Sequence, residues 1–398
     1  MLRLRLLVAT ALVGLGFTWF VPASPAFGLA VTQTITVGNG PIEVAFLPDG
    51  SRAYVTNSLS NSVSVVDTAT GNVITSIAVG LNPTGIVASA TRVVVNTTHA
   101  SGHPVTVIDP NTNTVVSTIP LTAVLGGFGM SMSSDGNTVW ATAGGVLARI
   151  DLTNNSVTYS TPIQTTYSDV ATSPTSQFGF ATNYNAGTIT KFDLTTLAAA
   201  TSPSAPGFGA VNVTFNPSGT KLYVTHCTLG VLVYDTTTLA LDATIAVPGC
   251  AYGIDFSSTG TKFFVTRFAG QKVSVVDTAT NTVSEEIVVG TQPGAATVSP
   301  DGSKLYVVNQ ASNTVSVIDL TSLLPTTTTT STTTTTTSPA TTTSTVVASG
   351  NQVVTTTSPN SSLPTTGRRD DSTVAIVVLT AGIGLFVATR RRVTGATR

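Results

Sequence analysis

The chain has 398 residues, of which 9% are charged and 41% hydrophobic, with a formal net charge of −1. The charged fraction is far below the ~25% of an average globular chain, and the bases gather at the two ends, so residues 31–366 hold nine bases against 16 acids. An acidic body with no basic stripe excludes the phosphate-neutralising surface that nucleic-acid binding needs.

Residues 1–30 read as a secretory signal peptide. Arg3 and Arg5 give a positive start, 6–21 is an apolar core, and Ser24-Pro25-Ala26 or Ala26-Phe27-Gly28 supplies small residues for cleavage. The alternative is an uncleaved N-terminal membrane anchor, disfavoured by the short apolar run and the prolines after it.

From residue 31 the chain repeats. An aspartate closes a β-rich run at Asp67, Asp109, Asp151, Asp193, Asp235, Asp277 and Asp319, and every gap is 42 residues. The first unit contains four β-like runs, at 42–47, 53–57, 62–67 and 73–79, with the turn Pro48-Asp49-Gly50 after the first. Alternation in Val63-Ser64-Val65 and Val315-Ser316-Val317 predicts a sheet facing two environments. Four strands per ~42 residues is the period of a propeller blade. The last unit lacks a fourth strand, and 31–38 matches 73–80 at the same 42-residue offset. The first strand is therefore expected to complete the last blade, closing a seven-bladed all-β propeller over 31–324 and removing a pair of open edges.

Within these units, Ala53-Tyr54-Val55-Thr56-Asn57 followed by Val65-Val66-Asp67-Thr68-Ala69-Thr70 resembles the YVTN-family β-propeller repeat of microbial surface proteins. Tyr306-Val307-Val308-Asn309 and Phe264-Val265-Thr266-Arg267 are close variants. Val93-Val94-Val95-Asn96 lacks the aromatic, and Trp140-Ala141-Thr142-Ala143 lacks the Asn. The resemblance implies the fold; propellers host both binding and catalysis, so it leaves the activity open.

The seven repeated aspartates sit before Thr/Asn-rich turns, where a carboxylate accepts backbone N–H groups; one identical residue per blade is structural. Cys227 and Cys250 fall in loops of one face, and an even count in an exported chain points to a disulfide, with free thiols or metal ligation as alternatives. His99, His103 and His226 read as solvated loop histidines, because no ligand set of recognised spacing accompanies them. No cofactor or metal is expected. Aligned by the repeat, Glu43, Gly85, Gly129, Asp169, Asn212, Gly253 and Ala295 ring the channel, with Phe128 and Tyr252 just before two of them. Of these, Glu43, Phe128, Asp169, Asn212 and Tyr252 form a candidate binding mouth for a cationic, sugar or peptide ligand; the alternative is loop drift.

Residues 325–362 are rich in Thr and Ser with scattered Pro, too poor in apolar groups to offset the entropy of ordering. They read as an extended stalk of the O-glycosylated type, reaching ~110 Å over about 37 residues if polyproline-like. Leu363-Pro364-Thr365-Thr366-Gly367 comes next, then an apolar run over 373–389 and a basic tail over 390–398. This ordered set resembles the LPxTG cell-wall sorting signal of Gram-positive bacteria. The resemblance implies cleavage after Thr366 by a sortase and transfer to peptidoglycan. The charge block from Arg368 to Asp371 departs from the pattern and keeps a plain C-terminal membrane anchor as the alternative. The chain then supports two readings of function: a wall-anchored, non-enzymatic binding, adhesion or envelope-structural module with an unidentified extracellular protein or carbohydrate ligand, or a tethered propeller enzyme of lactonase or lyase type.

Overall fold

A computed structural model describes residues 28–97, 104–122, 129–162, 168–200 and 207–325. The expected signal peptide, stalk and sorting motif and the 373–389 run lie outside the described residues, apart from 28–30 and 325. Among the described residues no helix is long and apolar enough to cross a membrane.

Strand β1 (Val31–Thr36) precedes the first full sheet, made of β2 (Pro41–Phe46), β3 (Arg52–Asn57), β4 (Ser62–Asp67) and β5 (Val73–Ala78). The described strands form seven four-stranded antiparallel sheets, each an inner-to-outer meander. The seventh is completed in the expected way: β1 pairs with Thr314–Asp319, Ile35 opposite Val315 and Thr36 opposite Thr314. The chain is thus an all-β, seven-bladed propeller sealed by its own N-terminal strand.

The core is divided into seven seams, one between each pair of neighbouring blades. Tyr54, Val63, Val65 and Ile77 of blade 1 pack on Ile86, Val93, Val95 and Ile108 of blade 2. Val44, Val55 and Val66 turn the other way and pack on Tyr306, Val308 and Val315 of blade 7. Both faces of each blade are therefore buried, which explains the near-continuous Val and Ile runs. It also corrects the expectation drawn from alternation. Ser64, Ser274 and Ser316 are 2%, 0% and 2% exposed, so the serines do not face water. Ser64 Oγ and Ser316 Oγ instead accept hydrogen bonds from Asn57 Nδ2 at 2.9 Å and Asn309 Nδ2 at 3.0 Å.

The repeated aspartates end the third strands. Asp67 Oδ1 accepts the Thr70 N–H at 2.8 Å, Asp193 Oδ1 those of Thr195 and Thr196, and Asp319 Oδ1 that of Thr321 at 2.8 Å. Asp109, Asp151, Asp235 and Asp277 accept equivalent turn amides. These bonds to the charged form hold Asp67, Asp151 and Asp193 below the usual carboxylate range, and Lys262 helps to lower Asp277 to about 2. The chain leaves the ring through a short 3-10 turn, Thr321–Leu323, directly after Asp319.

Candidate functional site

The inner strands surround the channel, and their open edges set its chemistry. An inner strand pairs on one side only, so amides on its other side need acceptors from elsewhere. In blades 1, 2, 5, 6 and 7 the ladder to the second strand also skips, for example between Pro41 and Val44 and between Ala251 and Ile254. This bulge frees the ring residue from backbone pairing. A threonine of the second strand takes over, and does so in blade 4 as well, where the ladder does not skip. Thr56 Oγ1 accepts the Glu43 N–H at 3.1 Å, Thr182 that of Asp169 at 3.2 Å, Thr225 that of Asn212 at 3.0 Å and Thr266 that of Gly253 at 2.7 Å. The same hydroxyls donate into the next blade, Thr182 to Val211 O at 2.9 Å and Thr266 to Gly294 O at 2.6 Å. The threonine of the Tyr-Val-Thr-Asn repeat is thus a bridge between blades.

Glu43, Asp169, Asn212 and Ala295 meet across the channel. They line both a cavity of about 580 Å³ that opens toward the Pro217 and Pro300 turns and a small one of about 30 Å³ toward Tyr252. The larger cavity also holds Asp255 and the hydroxyls of Ser131, Thr172, Thr214 and Thr297. Asp255 was missed by sequence reasoning. Two residues beyond Gly253 on the same strand, it shares the channel face, and it is the only acid at that position of the repeat; this was the available signal.

The three carboxylates have partners. Glu43 Oε2 accepts the Ile86 N–H at 3.0 Å, Asp169 Oδ2 the Val213 N–H at 3.0 Å, and Asp255 Oδ2 the Val298 N–H at 2.8 Å. Each acceptor belongs to one blade and each donor to the next. Asp169 is buried, and Glu43 and Asp255 are half-buried at the channel wall. Desolvation there pushes all three carboxyls up, Glu43 to about 8 with a further push from Asp169, Asp169 to about 7, and Asp255 to about 6. The amide bonds offset only part of the desolvation.

Gly129 and Gly253 are required by close approach: a Cβ on Gly129 would strike Asp169, and one on Gly253 would strike the backbone of Gly294 and Ala295. Tyr252 stacks on Phe268 with ring centroids 5.4 Å apart, and burial beside Glu43 and Asp169 pushes its hydroxyl to about 12. Phe128, His99 and His103 lie outside the described residues. His226 corrects the expectation of a solvated histidine. It is fully buried, with Nδ1 accepting the N–H groups of Thr228 and Leu229 at 3.2 and 3.3 Å. It stands where other repeats place Asn57 and Asn309, whose Nδ2 groups donate to hydroxyls across the hairpin; His226 instead accepts from its own turn. Cys227 and Cys250 are disulfide-bonded, tying the loop after His226 to the loop that leads to Tyr252. Among the described residues no group of three or more His, Cys, Asp and Glu side chains is arranged to hold a metal ion.

No protein-family model matches the chain, and no curated protein matches it. Among solved structures it is similar to a chain of Kuenenia stuttgartiensis hydrazine synthase, with a TM-score of 0.64 and 18% sequence identity, covering 72% of this chain and 97% of that one. That likeness shows the propeller fold alone.

Proposed function

We propose that this propeller is an exported, sortase-anchored surface protein that binds its ligand without turning it over, as an adhesion, binding or envelope-structural module. The observation that carries the binding part is the central cavity of about 580 Å³. Its described lining comprises three carboxylates, amides, hydroxyls and apolar groups including Phe215 and Phe256, with no Lys, Arg or His among them. Such a cavity attracts a cationic or hydroxyl-rich group, and its described lining carries no cationic side chain to stabilise a developing anion. The ligand class is an extracellular protein or carbohydrate; no cofactor or nucleic acid takes part. Anchoring rests on Leu363-Pro364-Thr365-Thr366-Gly367 and the segments after it, with sortase and peptidoglycan as partners.

The test is twofold. Fractionation of cells expressing the parent and Pro364→Ala chains should move the protein from the wall to membrane and medium; an unchanged wall fraction removes sortase anchoring. A glycan and peptide array probed with the mature protein should yield a ligand whose retention falls on Asp255→Ala. One observation favours an enzyme instead: Glu43, held protonated up to about pH 8, has the pKa of a general acid at neutral pH. Turnover of a lactone or glycan by the mature protein, abolished in Glu43→Gln, would replace binding with catalysis.

A further inference from the structure

Three of the seven blade junctions are held at the channel by a carboxylate. Glu43 reaches from blade 1 to the Ile86 amide of blade 2, Asp169 from blade 4 to Val213 of blade 5, and Asp255 from blade 6 to Val298 of blade 7. All three line one cavity. We propose that Glu43, Asp169 and Asp255 form a proton-sensitive clasp: the ring is most stable while the three are neutral, and as the pH rises the cost of uncompensated charge in the channel outweighs the stronger amide bonds of the ionised form. This inference stands apart from the proposed function, since it needs neither ligand nor anchor.

The charge environment makes the clasp sensitive. Besides the three acids, Tyr252 is the only titratable group on the inner strands among the described residues, and Tyr184, just after the second strand of blade 4, packs edge-on against Phe208. The cations of strands packed against them are engaged elsewhere. Arg52 donates to Pro110 O, and Lys304 Nζ to Thr68 O at 2.6 Å. Lys221 pairs with Asp235 and Asp242, and Lys262 with Asp277. Arg267 donates to Pro248 O at 2.6 Å and pairs with Glu286. Of the other titratable side chains on those strands, Tyr54 donates to Asn113, Tyr223 packs on Phe256 and Phe263, Tyr306 sits in the seam with Phe46, and His226 is capped by its own turn. Deprotonation therefore places up to three negative charges in one cavity without a counter-charge, and Glu43 and Asp169 repel each other across it.

The sign follows from linkage. Each acid ionises at a higher pH when folded than when unfolded, so the native state holds the extra protons. The contribution to stability is complete below about pH 4, declines as the pH rises through the three folded values of about 6, 7 and 8, and is then level. In that window each protonated clasp raises the unfolding constant about tenfold per pH unit.

Urea unfolding of the full chain between pH 5 and 9 tests this through the slope of log K against pH, which counts protons. The parent slope should fall in steps, from about three protons near pH 5 to about one between 7 and 8. Glu43→Gln should lower the slope by about one throughout 5–8, and Asp255→Asn only below about 6. Groups common to parent and variant cancel in the difference. Should Glu43→Gln fail to fold, Asp255→Asn alone still decides. A flat parent profile, or a variant slope equal to the parent's, overturns the proposal.

Discussion

Replacing Ile35 by alanine isolates the ring closure. Ile35 is the one fully buried side chain of β1, 4% exposed, and it packs with Phe46, Tyr306, Val308 and Val315 in the seam between blades 7 and 1. Losing about three methylene groups from such a site costs ~2.4 kcal/mol in transfer, and the residual cavity brings the expected loss to about 3 kcal/mol. The repeat supplies its own control. Ile77 occupies the equivalent place on β5, 7% exposed, so Ile77→Ala should cost a similar amount. The two variants should differ in the fate of the strand. β5 is joined by chain to the ring at both ends, whereas β1 is joined covalently only at its C-terminal side, so only Ile35→Ala should let the strand peel and expose the edge of Thr314–Asp319. Urea unfolding reads the energy, light scattering after size exclusion reads self-association, and hydrogen exchange reads Val315 and Val317. A cost for Ile35→Ala below about 1 kcal/mol, or equal self-association in Ile77→Ala, would refute the closure reasoning.

The remaining predictions concern polar groups in the seams and the crosslink. Tyr306 Oη is buried without a partner, whereas Tyr54 Oη donates to Asn113 Oδ1 at 3.0 Å; the corresponding turn position facing Tyr306 is Gly71, left-handed at φ 73° like Asn113 at 54°. Gly71→Asn should therefore stabilise by about 1 kcal/mol in urea unfolding, with the exposed end of Gln33 moving aside; an equal gain from Gly71→Ala would show that the hydrogen bond is not the cause. Thr182→Val strands both the Asp169 N–H and the Val211 carbonyl in a fully buried seam and should cost ~1–3 kcal/mol, measured against Thr182→Ser, which keeps the hydroxyl. Opening the Cys227–Cys250 bond, which closes a separation of 23 residues, should cost about 3 kcal/mol by chain entropy, read as a fall in the urea midpoint on adding reductant; an unchanged midpoint in the Cys227→Ser, Cys250→Ser double variant removes that role.

The blade count, the strand order and the closure were legible because they depend on a period of 42, which one aspartate per unit exposes. The roles of individual polar residues were less so. Ser64 looks like a surface residue in any pattern of alternation, since alternation cannot distinguish water from a second packed blade. His226 looked exposed because histidine is usually so near a loop; its place in the repeat, where the buried Asn57 and Asn309 stand, was the clue to a buried polar side chain. Glu43 and Asp169 could be aligned into one ring. Their partners, Ile86 and Val213, could not be read, because a side-chain bond to a backbone amide leaves no mark on the partner's identity. Asp255 lay one step outside the aligned ring and escaped for that reason.

Not every junction uses a carboxylate. Between blades 3 and 4, Ser131 Oγ accepts the Thr172 N–H at 3.3 Å, and Thr297 Oγ1 of blade 7 donates to Val44 O of blade 1 at 3.1 Å. A hydroxyl thus satisfies an inner-strand edge here without burying a charge. Glu43, Asp169 and Asp255 meet the same need at a cost, because each must be desolvated and two of them repel. Above about pH 8, where all three are ionised, amide-bearing replacements should therefore yield a more stable ring. Three such positions that all face one cavity are what a functional interior would require. They direct the search for a ligand to the channel, and to conditions where its protonation changes.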